Sequence, residues 1–481
     1  MRSPLRLLPA AAVLALLPAC SLIDLGPVFG KPEIAAPAAW DSRADARNLW
    51  PDTAWWTGFG SPELGALIAE AADGNADLRI AWARIRQAQA SAKIAGADLY
   101  PSLSGGGDAG RNWTGTGRSN PSGAASSRGT RTVSNSFGAD LSASYQVDLF
   151  GANAAGADAA LASLEASQYS REAVAITLQA DVAATYFGLL SLRDRIRLSE
   201  DTLRAAEDTL GLLTRQREAG ASTDYEVAQQ RSAVASQRAT VAALQQSERE
   251  SLDALAVLLG RNPQGFRIAT RSLDDLRLPP VAAGLPSELL LRRPDLRKAE
   301  ADLRSANYDV RAARAARFPS LSLSASAGTA GVVASNLFTP PSMAYAIAAS
   351  LTAPIFQGGR LEGQEELSQA RREEMVETYR AAILSAFADT ETALSATVTA
   401  ARRHDYAVEA YAQAQEAYRI VGARFRAGTV TFLTLLDAQR SVFAANDTLV
   451  QATLARYTAM VDLYEALGGG WDGSVQMPAA R

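Results

Sequence analysis

YPSLS at residues 100–104 returns as FPSLS at residues 318–322. In both places a charged, alanine-rich run comes before the phrase, and beyond Pro319 the pattern changes. Proline disfavours helix in the residue that precedes it, so each aromatic–proline pair ends a helical run. In FPSLSLSASAG, Leu321, Leu323, Ala325 and Ala327 alternate with Ser320, Ser322, Ser324 and Ser326. Such alternation is a strand with one apolar and one polar face. A change from helix to strand is therefore expected within two residues of both Pro101 and Pro319.

The likeness extends outward. Residues 75–104 lie over 293–322 without a gap, matching Asp77 with Asp295, Leu78 with Leu296, Arg86 with Arg304 and Ala88 with Ala306. Further on, DLFG (148–151) echoes PIFQ (354–357), and EAGAS (218–222) echoes RAGTV (426–430). The chain is an internal duplication with a period near 210 residues, far too long for a solenoid, and insertions in loops account for the slip in spacing.

Each copy repeats one order of patterns. A helical run (62–99; 287–317) leads into a strand, a loop rich in Gly, Ser, Asn and Pro (110–132; 332–342), and a second strand. In the first copy Val133, Phe137, Ala139, Leu141, Ala143, Tyr145, Val147 and Leu149 share one face, while Asp140, Ser142, Ser144, Gln146 and Asp148 share the other. Tyr345, Ile347, Ala349, Leu351, Ala353 and Ile355 repeat the apolar face. A proline-free helix follows (156–219; roughly 361–426), spanning about 96 Å at ~1.5 Å per residue. Val182, Leu189, Ile196, Leu203 and Leu210 recur every seventh residue, which predicts antiparallel coiled-coil packing. A glycine-containing turn (220–224; 428–432) reverses the chain into a third helix (225–260; 433–467).

The predicted organisation is a signal peptide over 1–19, an extended N-terminal and equatorial segment over 20–61 and a first repeat over 62–260. An equatorial linker (261–286), a second repeat (287–467) and a tail (468–481) complete it. The hairpins fall at about 101–150 and 319–357.

Composition removes several classes of function. The net charge of −4 leaves no electrostatic footprint for nucleic acid. One cysteine, Cys20, and one histidine, His404, exclude a disulfide framework and a Cys/His metal cluster within one chain. His404 reads as an ordinary helix residue. GGGDAG (105–110) fits a dinucleotide fingerprint, but a loop-like stretch follows where a helix is required. Asp274 and Asp275 lie in a proline-flanked linker with no cleft implied, so an enzyme is not expected.

At the N-terminus, Arg2 and Arg6 precede an apolar stretch of signal-peptide length. Leu17-Pro18-Ala19-Cys20 resembles a bacterial lipoprotein signal, which makes Cys20 the lipidation site and first mature residue; the plainer reading is signal cleavage beside an incidental cysteine. Ser21 after it permits sorting to the outer membrane.

Four strands cannot close a membrane barrel alone, and open edges in lipid leave backbone groups unsatisfied. The hairpins must enter a shared barrel. Two copies give eight strands and little lumen; three give twelve and a channel, with the serines and Asp148 toward water and Leu, Val and Tyr toward outer-membrane lipid. The expected fold class is an α+β membrane protein with four transmembrane strands and a long α-helical barrel.

LGPVFGKPEIAAP after the cysteine, WWTGFGSPELGALIAEAADGNADLRIAWARIRQAQA, GLPSELLLRRPDLRKAEADLRSAN and FLTLLDAQRSVFAANDTLVQATLARYTAMVDLYEALGGGW resemble the TolC/OprM outer-membrane factors of tripartite efflux pumps, in their NodT-type lipoprotein branch. The resemblance spans nearly the whole mature chain. It implies a homotrimer whose twelve-stranded barrel continues into a periplasmic tunnel, docked on a periplasmic adaptor (membrane fusion protein) and an inner-membrane pump of RND type. It also places the gate at the turns after Gly220 and Gly428. There Leu433 and Asp437 match the residues that constrict the tunnel mouth, and Arg440 matches an arginine that pairs near them. Leu433 and Asp437 are four apart and share a helical face. The alternative for Asp437 is stabilisation of a helix start. Asp224, in a first-repeat tip one residue shorter than the family pattern, is a weaker partner candidate.

The resulting expectation is a passive duct for small molecules such as drugs and toxic solutes. Two rivals remain: a duct of a protein-secretion system, and a lipid-anchored coiled-coil spacer without a pore.

Overall fold

The computed structural model describes residues 37, 39–41, 50–115, 131–280 and 286–473, so Cys20 and the signal segment lie outside the described residues. The first copy runs α1 (Pro62–Gly74), α2 (Ala76–Ala97), β1 (Ser102–Gly115), β2 (Arg131–Val147), α3 (Ala152–Glu218) and α4 (Asp224–Leu258). The second runs α5 (Pro286–Arg292), α6 (Pro294–Ala315), β3 (Ser320–Gly331), β4 (Met343–Thr352), α7 (Arg360–Arg426) and α8 (Phe432–Ala466).

The first helical run is two helices, where the sequence predicts one. Ser61 caps α1 by accepting the Leu64 N–H, and Pro62 occupies the first turn, where a missing N–H costs nothing. The run breaks at Asn75, whose Oδ1 accepts the backbone N–H of Asp77 (2.8 Å) and Leu78 (3.2 Å) and so starts α2 afresh. The second copy breaks at the equivalent Arg293, ahead of Pro294.

At both YPSLS-type joints the strand begins one residue after the proline, at Ser102 and Ser320, within the expected distance. The helices stop earlier than expected, at Ala97 and Ala315. A tighter last turn closes each of them: Tyr100 N–H donates to Ala97 O and Phe318 N–H to Ala315 O.

The strands form one antiparallel sheet in the order β1-β2-β3-β4. Its register joins the alternating patterns into continuous rows. Leu103, Ala143, Ala325 and Ile347 lie side by side, as do Val147, Leu321 and Leu351. Flanking the Ala143 row run Ser102–Ser144–Ser324 and Ser104–Ser142–Ser326, and the first two hydroxyls of each row are 2.8 Å apart. β1 carries the GGGDAG stretch and continues to Gly115, past the predicted loop start at 110. Asp148 lies just past the end of β2, and its carboxylate accepts the Ala154 N–H in the first turn of α3 at 2.7 Å. In one chain the apolar face is uncovered, with Ile347 91% exposed, an arrangement that requires an apolar surrounding.

The 67-residue helices α3 and α7 are offset by 208 residues, and so are the 35-residue helices α4 and α8. Helices α2 and α6 and the starts of β1 and β3 are offset by 218. The slip in spacing therefore falls between the start of each hairpin and the long helix that follows it.

Two compact units divide the described residues: 87–164 with 301–376, which carries the sheet, and the residues up to 86 with 165–300 and from 377 onward. The second unit holds the main core. Phe59 is fully buried there, its ring 4.9 Å from Phe187 and 5.9 Å from Tyr457. The described part of the linker, residues 261–280, is fastened to this core through its backbone. Glu63 accepts the N–H of Thr270 (2.9 Å), Asp194 accepts that of Leu273 (3.0 Å), and Arg193 donates to Ile268 O (3.3 Å). Burial alone would raise the Glu63 carboxyl; hydrogen bonds from Thr270, the Ala269 and Thr270 N–H groups and Tyr186 hold it below its usual range. Asp194 is raised, because burial outweighs the hydrogen bonds from Leu273 and Ser272.

Candidate functional site

Both hairpin tips of the second unit are built alike. Two residues past the ends of α3 and α7, Gly220 sits at φ 74° and Gly428 at φ 70°, conformations open to glycine at little cost. Gly220 N–H donates to Arg217 O (2.9 Å) and Ala221 N–H to Gln216 O (2.7 Å); Gly428 and Thr429 make the same pair with Phe425 O and Arg424 O. This paired pattern satisfies carbonyls that a helix end leaves free and turns the chain back.

The return helices start one residue earlier than predicted, at Asp224 and Phe432, each behind a threonine cap. They differ in how tightly they are tied. Thr223 accepts the Glu226 N–H, while the Glu226 carboxylate accepts the Thr223 N–H (2.9 Å) and the Ser222 hydroxyl (2.8 Å). The Thr223 and Ser222 bonds hold the Glu226 carboxyl below its ordinary range. Arg217 adds an ion pair to Asp224 at 2.7 Å. In the second tip Thr434 replaces the glutamate, and Thr431 accepts its N–H at 3.4 Å.

Leu433, Asp437 and Arg440 lie at i, i+4 and i+7 on one exposed face of α8, and Leu433 is 50% exposed. Among the described residues, neither the Asp437 nor the Arg440 side chain takes part in a hydrogen bond or ion pair. The expected pairing of Arg440 is thus not made within one chain. Asp224 sits at the start of the other return helix and is committed to Arg217. In the duplication Tyr225 is the counterpart of Leu433, and it too is exposed.

Behind this face the heptad stripe of the sequence includes Leu210, but Val227, Phe432 and Leu436 escape that reading. Leu213, Val227, Phe432 and Leu436 form a second buried cluster, with Leu210, Ala233 and Phe425 packed against it. Their signal was present as apolar residues four apart at Phe432 and Leu436, but the exposed neighbours drew the reading.

Paired long helices in a chain that also bears an unclosed sheet with an apolar face are the build of a membrane duct. The family profile described as "Outer membrane efflux protein" matches twice, over residues 67–261 and 285–469, one match per copy. The pyoverdine export outer membrane protein OpmQ of Pseudomonas aeruginosa is 44% identical over 451 residues, 92% of this chain and 93% of that protein. The cation efflux system protein CusC of Escherichia coli is 31% identical, over 98% of this chain and 99% of its own. Among solved structures, the outer-membrane channel OprN aligns with a TM-score of 0.84 at 26% identity, covering 94% of this chain and all of that one. The chain belongs to the outer membrane efflux protein family: it is an outer-membrane efflux duct, and its four strands are one protomer's share of a trimeric β-barrel that continues into a periplasmic α-helical tunnel.

Proposed function

We propose that this duct receives small molecules from an inner-membrane pump of RND type through a periplasmic adaptor, and that its periplasmic mouth is closed by the face of α8 carrying Leu433 and Asp437. The observation that supports this most is the exposure of Leu433, Asp437 and Arg440 without partners at the end of a long hairpin. Three copies about an axis bring three leucines and three carboxylates together. Like charges so placed repel one another unless water, cations or Arg440 of a neighbouring copy screen them. Asp224 is a local tie in the first tip, since Arg217 already neutralises it. Cys20 anchors the mature chain in this reading, residues 1–19 are its signal, and the linker over 261–286 girdles the tunnel. The similarity to a pyoverdine exporter supports a siderophore-like small molecule as cargo.

Planar-bilayer recording of Asp437→Ala and Arg440→Ala channels tests the mouth. Both are expected to conduct more than the parent, and Asp437→Ala to lose cation preference. Unchanged current and selectivity in both variants removes the gate from these residues. For cargo, a deletion strain is expected to secrete less siderophore or to become more drug-sensitive; a defect confined to protein secretion favours the rival duct.

A further inference from the structure

The exposed gate face is the buried stripe of α8 moved on by one residue. Phe432, Leu436 and Gln439 are buried, and each is followed immediately by an exposed residue: Leu433, Asp437 and Arg440. One residue is about 100° of helix rotation, so whatever fixes the buried stripe also aims the gate. Phe432 (2% exposed) and Leu436 pack on Leu213 of α3 and Val227 of α4, with Phe425 of α7 alongside at 6.5 Å between ring centroids. The cluster is separate from the main core.

Polar ties are missing where this cluster sits. Among the described residues, no hydrogen bond or ion pair joins residues 432–446 of α8 to α3 or α4. The first such link up the helix is Arg195 to Asp447, at 2.6 Å. Roughly four turns of α8 beside the mouth are therefore held to the first hairpin by apolar contact alone.

We propose that Phe432 and Leu436, seated on Leu213 and Val227, form an apolar latch that ties the two hairpins of one protomer together and sets the rotation of α8. They are positioning residues, acting through Leu433 and Asp437, and the inference rests on the reading of those two as the constriction. An apolar latch is not screened by salt, in contrast to the exposed Arg217–Asp224 pair of the first tip. Opening must expose Phe432 to water or move both hairpins of a protomer as one.

The test compares Phe432→Ala with Phe432→Leu, each with and without Asp437→Asn, as purified trimers in planar bilayers. Phe432→Ala is expected to raise conductance several-fold and to shrink the change in cation preference that Asp437→Asn causes in the parent. Phe432→Leu is expected to restore the parent's values, and heat-modifiable migration to show a trimer throughout. A closed Phe432→Ala channel in which Asp437→Asn still shifts selectivity in full overturns the latch and leaves the gate reading intact. No shift from Asp437→Asn in the parent removes the gate itself. If Phe432→Ala yields no trimer, Leu213→Ala enters the same cluster from α3 and is read in the same way; failure of both to assemble shows a folding core and overturns the latch.

Discussion

Phe59→Ala is expected to cost about 3–5 kcal/mol, the range for removing a large aromatic from a packed core. The residue is fully buried among Phe187, Tyr457, Tyr464 and Trp55, with ring centroids 4.9 to 6.4 Å away. These partners come from α3, α8 and the 3-10 turn at Trp55–Phe59, so the cavity opens where the two copies and the N-terminal segment meet. Rigid helices on several sides limit collapse, which pushes the cost up the range. The measurement is the temperature at which the heat-modifiable oligomer gives way to monomer. It is expected to fall markedly for Phe59→Ala and less for Phe59→Leu.

Gly260→Ala is the second large effect, and its cause is backbone. Gly260 has φ 69°, and a Cβ there would stand 2.1 Å from the carbonyl oxygen of Gly74. Left-handed geometry alone costs an alanine roughly 1–2 kcal/mol. The overlap adds to it, because a carbonyl at the end of α1 cannot swing aside as a side chain can. The reciprocal substitution Gly74→Ala meets Leu259 O at 2.2 Å. The duplicated joint behaves differently: Gly468 faces Arg292 O at 2.9 Å, and Arg292 itself occupies the place of Gly74. Oligomer yield and melting are expected to drop sharply for Gly260→Ala and Gly74→Ala, and less for Gly468→Ala.

Much of this was legible because duplication supplied a second reading of every element. The aromatic–proline joints, the alternating strands, the long helices and the glycine turns appear in the sequence within a few residues of their places in the structure. The break at Asn75 was not, because it lies in a run whose helical pattern continues across it, whereas the break at Arg293 is marked in the sequence by Pro294. What stops the helix at Asn75 is one side chain choosing the backbone of the next turn. The spacing of Asp148 puts it on the polar face but gives no sign that its carboxylate also accepts the Ala154 N–H of α3. At the mouth, pattern marked the exposed residues Leu433 and Asp437 and missed Phe432 and Leu436. Which of two adjacent stripes is buried depends on another hairpin more than 190 residues away in sequence.

The most direct test of a mouth closed by α8 uses the scarcity of cysteine, since Cys20 is the chain's sole native cysteine and, lipidated as proposed, carries no free thiol. With Asp437→Cys as the added thiol, the account predicts spontaneous disulfide-linked protomers in the closed trimer. It also predicts a current that stays low until reductant is added and then rises. Protomers that stay unlinked even with short bifunctional thiol reagents, in a trimer that conducts as the parent does, would contradict it.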